Sequence, residues 1–332
     1  MPLSKPEPQP EPEAGGPPDR VGRLRPLAEL PPHRLASLRG VLTDIDDTLT
    51  RDGAIEPAAL AALLRLAAAG VPVIAITGRP AGWSAPFALA WPLAAIVAEN
   101  GAVMLRRRGG GGGGGAAGAV AHAGDAGDEG DSAGPLRRDF VDDQPTRAAN
   151  HRRLQACAQA VLAEVRGATL AQDSAGRLTD IAIDHSEFQH LPAAAIAAVV
   201  AVMQRHGLTA TVSSIHINGW IGSHGKPSGA RWAVAQALGW PFVAGEWLYV
   251  GDSTNDQSMF ETMPLSVGVA NIARFVPQLR WLPGYVTPGE RGVGFAEVAD
   301  ALLAARAATP AATPAATPAA TSAAPPNARG PA

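Results

Sequence analysis

The stretch Val41-Leu42-Thr43-Asp44-Ile45-Asp46-Asp47-Thr48-Leu49-Thr50 places three carboxylates directly after a short apolar run. An apolar run that ends in polar residues is typical of a buried β-strand followed by a loop. On an extended backbone, Asp44 and Asp46 lie on the same side and Ile45 points to the other. Carboxylates this close together repel each other and stay ionised at low cost only near a cation. Taken alone, the stretch is also compatible with an Asp-rich turn that caps the next helix.

Strands and helices alternate after this stretch and again near the end of the chain. The patterns predict strands over 71–76, 94–98, 247–250 and 265–269, and helices over 58–69, 83–90, 226–238 and 294–305. Such alternation indicates parallel β–α–β units with right-handed crossovers. We therefore expect an α/β fold whose core is a doubly wound, Rossmann-like parallel sheet. In such sheets ligands bind at the carboxyl ends of strands, where Asp44 and Thr77 both fall.

A block of different character interrupts these units. Between residues 137 and 220, the patterns predict helices over 147–165 and 192–206, and strands over 178–184 and 209–218. These strands are more polar and lack carboxylates at the position seen after Thr43, so we interpret the block as an inserted α+β cap. The predicted core is therefore 36–105 and 221–305, and the predicted cap is 106–220.

Low-complexity segments flank and interrupt these blocks. We predict disordered tails over 1–35, which begins with a Pro- and Glu-rich stretch, and over 306–332, which repeats Ala, Thr and Pro. A third disordered segment, rich in glycine, is predicted over 106–136 at the start of the cap. Segments of such composition bury too little apolar surface to offset the entropy that ordering costs.

Composition narrows the class of function. The 332-residue chain has a net charge of −3, which gives no sign of a nucleic-acid-binding surface. Its single cysteine excludes an intrachain disulfide and a cysteine-based zinc site. No run approaches the ~20 apolar residues that span a membrane, and no signal peptide is visible. We therefore expect a cytoplasmic protein that binds neither nucleic acid nor membrane, and the sequence leaves its oligomeric state open.

The polar residues at the strand ends and at one helix start suit phosphoryl transfer. Asp44 is predicted to attack phosphorus and to form an aspartyl-phosphate. Asp46 would protonate the leaving alcohol and then activate water for the second step. Thr77, with nearby backbone N–H groups such as that of Gly78, would bind phosphoryl oxygens. Lys226 would neutralise charge on the nucleophile and the phosphate.

A magnesium site is predicted from the same loops. Asp44, Asp252 and the backbone carbonyl of Asp46 would supply hard oxygen ligands, which suit Mg²⁺ better than Zn²⁺. Asn255 and Asp256 are predicted to support these ligands from behind.

Together, these residues resemble the motifs of the haloacid dehalogenase superfamily of phosphatases. The DxDxT motif of that family is matched by residues 44–48, its Thr or Ser by Thr77, its Lys by Lys226, and its acidic GDxxxD-type loop by residues 251–256. The resemblance covers roughly residues 40–305 and implies Mg²⁺-dependent phosphatase chemistry on a small phosphorylated metabolite.

Three details are similar to the Cof-like branch of that superfamily, which includes sucrose-phosphate phosphatases. They are Thr77-Gly78-Arg79, Glu99-Asn100-Gly101 and the Gly-Asp-x-x-Asn-Asp form of the acidic loop. The branch carries a large α/β cap between the second and third motifs, where the polar block lies here. One departure is Pro227, which stands where the branch often has Gly and could shift the helix start that carries Lys226.

The cap is expected to choose the substrate, since the core contacts only phosphate and metal. Four residues just before Lys226 fall at alternate positions and would share one face of a strand: Ser214, His216, Asn218 and Trp220. Such a row suits the hydroxyls and ring face of a sugar. An exposed strand face with a packed Trp explains it equally well. His185 and Glu187 are weaker candidates of the same kind.

The sequence therefore predicts a Mg²⁺-dependent phosphomonoester hydrolase, with a sugar phosphate as the favoured substrate. A phosphomutase is an alternative, which would return the phosphoryl group to a sugar and would require a bisphosphate for turnover. A metabolite-binding protein without catalysis is the alternative from another class, although unused clusters of like charge are costly.

Overall fold

A computed structural model describes residues 21–108 and 134–308 of the chain. In chain order, its strands are β1 Arg25–Pro26, β2 Gly40–Thr43, β3 Thr50–Arg51, β4 Ala54–Ile55, β5 Val73–Ile76, β6 Ala95–Ala98, β7 Val103–Arg107, β8 Leu136–Phe140, β9 Thr169–Leu170, β10 Asp180–Asp184, β11 Thr209–Val212, β12 His216–Trp220, β13 Trp247–Gly251, β14 Ser266–Gly268 and β15 Tyr285–Val286. Its α-helices are α1 Pro32–Ala36, α2 Pro57–Ala68, α3 Ala81–Ala90, α4 Gln144–Glu164, α5 Ala193–Arg205, α6 Lys226–Leu238, α7 Gln257–Thr262 and α8 Arg291–Ala308.

The core is a nine-stranded sheet with the order β1-β15-β14-β13-β2-β5-β6-β7-β8. Neighbours from β1 to β6 pair in parallel, and β7 and β8 extend one edge with antiparallel pairing. The chain moves from β2 to β5 and β6 in one direction across the sheet, whereas β13 pairs with the opposite side of β2. The order therefore reverses beside β2, which is where open α/β sheets bind ligands.

Helices cover both faces of this sheet, so its central strands are apolar on both sides. On one face, Val41 of β2 belongs to a buried cluster with Leu63 of α2 and Phe295 of α8. On the other face, Leu42 belongs to a cluster with Val234 of α6. This two-sided burial explains the continuous apolar runs in the sequence. The predicted doubly wound α/β core is confirmed. Among the described residues, no helix is both long and apolar enough to cross a bilayer.

The cap is a four-stranded antiparallel sheet with the order β11-β12-β10-β9, packed against α4 and α5. It has its own buried apolar cluster, which includes Cys157 of α4, Ile183 of β10, Val199 of α5 and Ile217 of β12. The prediction of one strand over 209–218 is wrong, because the chain turns between β11 and β12. The Ser213 hydroxyl accepts hydrogen bonds from the backbone N–H groups of Ile215 and His216, at 3.3 and 3.0 Å, and closes this turn.

The structure corrects the predicted N-terminal boundary of the core. Residues 25–35 were assigned by composition to a disordered tail, yet β1 pairs with β15 and α1 packs on α8. Leu27, Leu30 and Leu35 are buried in the same cluster as β2 and α8. Three buried leucines supply the apolar surface that the preceding residues lack. Residues 1–20 of that predicted tail lie outside the described part of the chain.

The predicted start of the cap is also wrong. Strands β7 and β8 form a hairpin on the edge of the core sheet, so residues 106–108 and 134–140 belong to the core. The glycine-rich residues 109–133, predicted to be disordered, lie outside the described ranges. At the other end, α8 continues to Ala308, so residues 306–308 are helical and not part of a disordered tail, and residues 309–332 lie outside the description.

A close approach between α6 and the turn after β6 positions the helix that carries Lys226. A methyl group added at Gly229 would lie 2.8 Å from Gly101 Cα and 3.1 Å from a Val97 methyl. We expect Gly229→Ala to lower the free energy of unfolding by about 1–3 kcal/mol through overpacking, although Ala usually favours a helix. Urea denaturation measures this. Gly245→Ala, where an added methyl meets nothing within 4 Å, is the matched control. Equal stability of the two variants would contradict the packing argument.

Candidate active site

Three adjacent strands deliver polar residues to one edge of the core sheet. Strands β13, β2 and β5 pair in parallel, and Asp252, Asp44 and Thr77 follow their last residues. Because the carboxyl ends of parallel strands meet at the same edge, these residues lie together. The cap covers this edge and forms the other wall of a cavity.

Asp44 is a buried carboxylate paired with a buried lysine. Its Oδ1 lies 2.8 Å from Lys226 Nζ, and the same Nζ lies 2.6 Å from Asp256 Oδ1. Burial raises the pKa of Asp44 to about 7, and the positive charge of Lys226 opposes that rise. Burial by itself lowers the pKa of Lys226, but Asp256 and Asp44 hold it above its ordinary value. Pro227 does not disturb this pair, because proline fits the first turn of α6.

The second carboxylate of the motif, Asp46, faces an arginine. Arg79 Nε lies 3.1 Å from both oxygens of Asp46, and the guanidinium is almost fully buried. The backbone N–H of Arg79 also donates a hydrogen bond to Thr77 Oγ1 at 3.0 Å, which fixes the threonine hydroxyl at the strand end. The Asp46 side chain is not in the carboxylate group of Asp44, Asp252 and Asp256, and a metal bond from its backbone carbonyl stays a prediction.

The acidic loop after β13 is organised around Asp256. Its Oδ2 accepts from the backbone N–H groups of Asp252 and Ser253, at 2.8 and 3.1 Å, and its Oδ1 accepts from Tyr249 and Lys226. Both oxygens are therefore engaged by protein donors, which suits the supporting role predicted for this residue. Asn255 accepts a hydrogen bond from Ser253 and lies in the cavity wall.

A hard divalent cation fits the residues beside Asp44. One oxygen each of Asp44, Asp252 and Asp256 lies within 4.8 Å of the others. Asp252 Oδ1 is buried and has no hydrogen-bond partner among the described residues, while its Oδ2 accepts from Asn271 at 3.2 Å. Burial raises the pKa of Asp252 well above its ordinary value, and Asp256 and Asp44 add to the rise. An orphaned carboxylate oxygen in an all-oxygen set matches the ligand preference of Mg²⁺.

The cavity between core and cap contains most of the predicted site residues. Its lining combines core and cap residues: Asp44, Asp46, Thr77, Gly78, Arg79, Ser213, Ser214, Ile215, His216, Asn218 and Asn255. Ser214 lies in the turn before β12 and not on the strand. Lys226 and Asp252 lie beneath this cavity, buried against Asp44 and Asn271 respectively.

Three of the four predicted cap residues already have hydrogen-bond partners in the protein. His216 Nε2 lies 2.8 Å from Glu187 Oε2, and Asn218 Nδ2 donates to the carbonyl oxygen of Gly78 at 2.9 Å. Trp220 is buried and absent from the cavity lining, because its indole N–H donates to the His224 carbonyl at 2.9 Å and its ring stacks on His224. The structure therefore contradicts the prediction that Trp220 packs against a sugar ring.

The two weaker cap candidates differ in position. His185 lies outside the cavity lining, its Nε2 is 3.0 Å from the Ser213 carbonyl, and burial lowers its pKa. Glu187 lies behind the wall and reaches both His216 and Arg79. His185 thus supports the turn before β12, whereas Glu187 is joined to the site.

Sequence reasoning missed the residues that tie the cap to the core. Arg79 forms salt bridges with Asp173 and Glu187 of the cap, at 3.1 and 2.8 Å. Glu99 is fully buried in the core, and its carboxylate accepts hydrogen bonds from the backbone N–H groups of Leu178 and Thr179 in the cap. Both residues belong to the quoted motifs. Their partners lie about eighty to a hundred residues further along the chain, and the sequence around Arg79 or Glu99 does not identify them.

The contact between Asn218 and Gly78 yields a prediction that differs from the sequence-based one. Asn218 holds the Gly78 turn, which is predicted to bind phosphate. Asn218→Ala should therefore lower kcat/KM about 5–10-fold for a small aryl phosphate as well as for a metabolite, the cost of one hydrogen bond. Steady-state assays on both substrates measure it, with Asn150→Ala on α4 as a matched control. A loss confined to the metabolite would instead place Asn218 on the leaving group.

Part of the chain matches a known family model, and its fold is found in solved structures. Residues 41–109 match the family model for haloacid dehalogenase-like hydrolases. No curated protein matches the chain significantly. This match confirms the predicted resemblance to the haloacid dehalogenase superfamily over these residues, and the solved structures that follow show a shared fold.

Three solved structures illustrate the shared fold. A Thermoplasma acidophilum protein superposes with a TM-score of 0.56 at 15% identity, over 80% of this chain and 98% of its own. The sucrose-phosphatase from Synechocystis, solved with sucrose and phosphate, has a TM-score of 0.53 at 15% identity, over 80% and 98%. A haloacid dehalogenase-like hydrolase from Bacteroides thetaiotaomicron has a TM-score of 0.52 at 14% identity, over 79% and 98%.

Proposed function

We propose that the protein is a Mg²⁺-dependent phosphatase that hydrolyses monoesters of small phosphorylated metabolites through an aspartyl-phosphate. The observation that carries this proposal is the buried Asp44 carboxylate, held 2.8 Å from Lys226 Nζ at the floor of a cavity that Asp46 and Thr77 also line. A nucleophile, a second carboxylate and phosphate-binding donors thereby meet at one point.

In the first step, an Asp44 oxygen attacks phosphorus, and the bond from phosphorus to the ester oxygen breaks. Asp46, oriented by Arg79, gives its proton to the leaving oxygen, so that a neutral alcohol departs. The Thr77 hydroxyl and backbone N–H groups beside Gly78 bind the phosphoryl oxygens, and Lys226 offsets charge on the nucleophile.

In the second step, Asp46 takes a proton from water, which attacks the phosphorus of the aspartyl-phosphate. Inorganic phosphate leaves, and the Asp44 carboxylate is restored. Asp44, the Asp46 carbonyl and Asp252 would hold Mg²⁺, which neutralises phosphoryl charge when bound. The cap excludes bulk water from this chemistry.

A phosphatase screen over a panel of phosphorylated metabolites, with an aryl phosphate as the generic substrate, tests the proposal. Sugar phosphates come first in the panel, because the sucrose-phosphatase of the same fold was solved with sucrose and phosphate. We expect release of inorganic phosphate without a bisphosphate activator. Absence of phosphate release from every member would refute the proposal, and turnover only with a bisphosphate would indicate a phosphomutase.

A further inference from the structure

The cap side of the cavity has more negative than positive charge. Among the described residues that line the cavity, Arg79 is the only lysine or arginine. Its guanidinium lies 3.0 Å from Asp46, 3.1 Å from Asp173 and 2.8 Å from Glu187, and it is 4% exposed. When Asp46 carries the proton that it gives to the leaving oxygen, Arg79 still faces the two carboxylates of Asp173 and Glu187, so one negative charge is in excess.

Glu187 is held in this position by the cap. Asp184 accepts hydrogen bonds from the backbone N–H groups of Ser186, Glu187 and Phe188, at 3.1, 2.9 and 3.0 Å, and shapes the loop that presents Glu187. Burial tends to raise the pKa of Glu187, but His216 and Arg79 lower it to about 2, so this carboxylate is ionised at neutral pH.

Neighbouring cations do not balance this charge. Arg177 is buried and lies 2.9 Å from Asp180 as well as 3.0 Å from Asp173, so it brings one positive charge together with one further carboxylate. Lys226 serves the phosphate end, beside Asp44.

We infer that the cap wall selects phosphate monoesters whose leaving group is an uncharged polyol and rejects analogues with a second anionic group. The inference rests on the proposed function, because it concerns the alcohol that Asp46 protonates. A second phosphate or carboxylate would enter a poorly solvated space beside Glu187 and Asp173, where like charges repel strongly. Hydroxyl groups, by contrast, can donate to carboxylate and amide oxygens of the wall. Bisphosphates, which a phosphomutase needs, belong to the rejected class.

A matched substrate pair tests the inference. Sorbitol 6-phosphate and 6-phosphogluconate have the same carbon chain and differ at the far end, where a hydroxymethyl group replaces a carboxylate. We expect the full-length protein to favour sorbitol 6-phosphate by at least about tenfold in kcat/KM, as expected for charge repulsion in a poorly solvated cavity. Glu187→Gln should reduce that ratio about 3–10-fold by removing one negative charge.

The ratio separates selectivity from any general damage. Loss of Glu187 could disturb Arg79 and Asp46, but that effect falls on both substrates and cancels in the ratio. Glu164→Gln changes the charge of an exposed cap residue paired with Arg205 and should leave the ratio unchanged. Asp173→Asn removes another carboxylate from beside Arg79 and should reduce the ratio as Glu187→Gln does. It replaces Glu187→Gln if the Glu187→Gln variant does not fold.

The outcomes distinguish this inference from the proposed function. Equal kcat/KM values for the two substrates, or a ratio unmoved by both Glu187→Gln and Asp173→Asn, would overturn the inference while aryl phosphate hydrolysis left the phosphatase assignment intact. If neither the pair nor the aryl phosphate were hydrolysed, the proposed function would fail, and this inference with it.

Discussion

Replacing Asp44 with asparagine should abolish turnover, with a loss of at least about a thousandfold for both an aryl phosphate and the best metabolite. An amide cannot attack phosphorus, so the aspartyl-phosphate cannot form. The fold should survive, because asparagine fills the same volume and its carbonyl oxygen can still accept from Lys226 Nζ. Steady-state phosphate release measures the loss, and circular dichroism monitors the fold.

Asp47→Asn is the matched control for this variant. Asp47 lies in the same loop but bonds Arg291 and Arg274, at 2.7 and 2.9 Å, and is absent from the cavity lining. We expect it to lose less than about tenfold in rate, as for a residue that does not touch the reacting atoms. Retention of more than about a tenth of the wild-type rate by Asp44→Asn would rule out covalent catalysis at this position.

Removal of divalent cations with excess EDTA should cost at least about a hundredfold in activity, and added Mg²⁺ should restore it. Three buried carboxylates lie together, and Asp252 has one oxygen that no donor in the described part of the chain satisfies, so the phosphate dianion would meet uncompensated negative charge there. Full activity in excess EDTA would contradict the prediction.

Thermal denaturation gives this prediction a readout that does not depend on turnover. An ion that binds only the folded protein raises Tm, so Mg²⁺ should stabilise the wild-type chain. Asp252→Asn removes the orphaned carboxylate charge and should abolish both the Mg²⁺-dependent rise in Tm and most of the activity. A Tm that does not respond to Mg²⁺ in the wild-type protein would place the metal site elsewhere.

The core of the candidate site is readable from the sequence because its residues follow apolar strands. Asp44 and Thr77 each stand directly after a run buried on both sides, and the strand order brings those ends together. Gly251-Asp252 stands in the same relation to β13. The local pattern and the geometry of the sheet are therefore enough to predict that these residues lie together. Lys226 lies with them because α6 begins beside the same edge of the sheet.

The cap side was predicted less well, for a physical reason. Alternation alone cannot show whether a strand continues, and Ser213 ends β11 by accepting N–H groups that a longer strand would have used in its ladder. Nor can alternation show what a polar side chain meets. Asn218 bonds the Gly78 carbonyl across the cavity, and Trp220 packs on His224.

Contiguous residues and strand-end geometry are enough to predict the α/β class, the alternating core, the inserted cap and the cluster of carboxylates. The folded structure was needed to show that residues 25–36 and the β7–β8 hairpin belong to the core, and that Arg79 joins Asp46 to Glu187. Those outcomes depend on contacts between segments far apart in the chain. Such contacts are selected by packing and charge balance in the folded state, which no local pattern encodes.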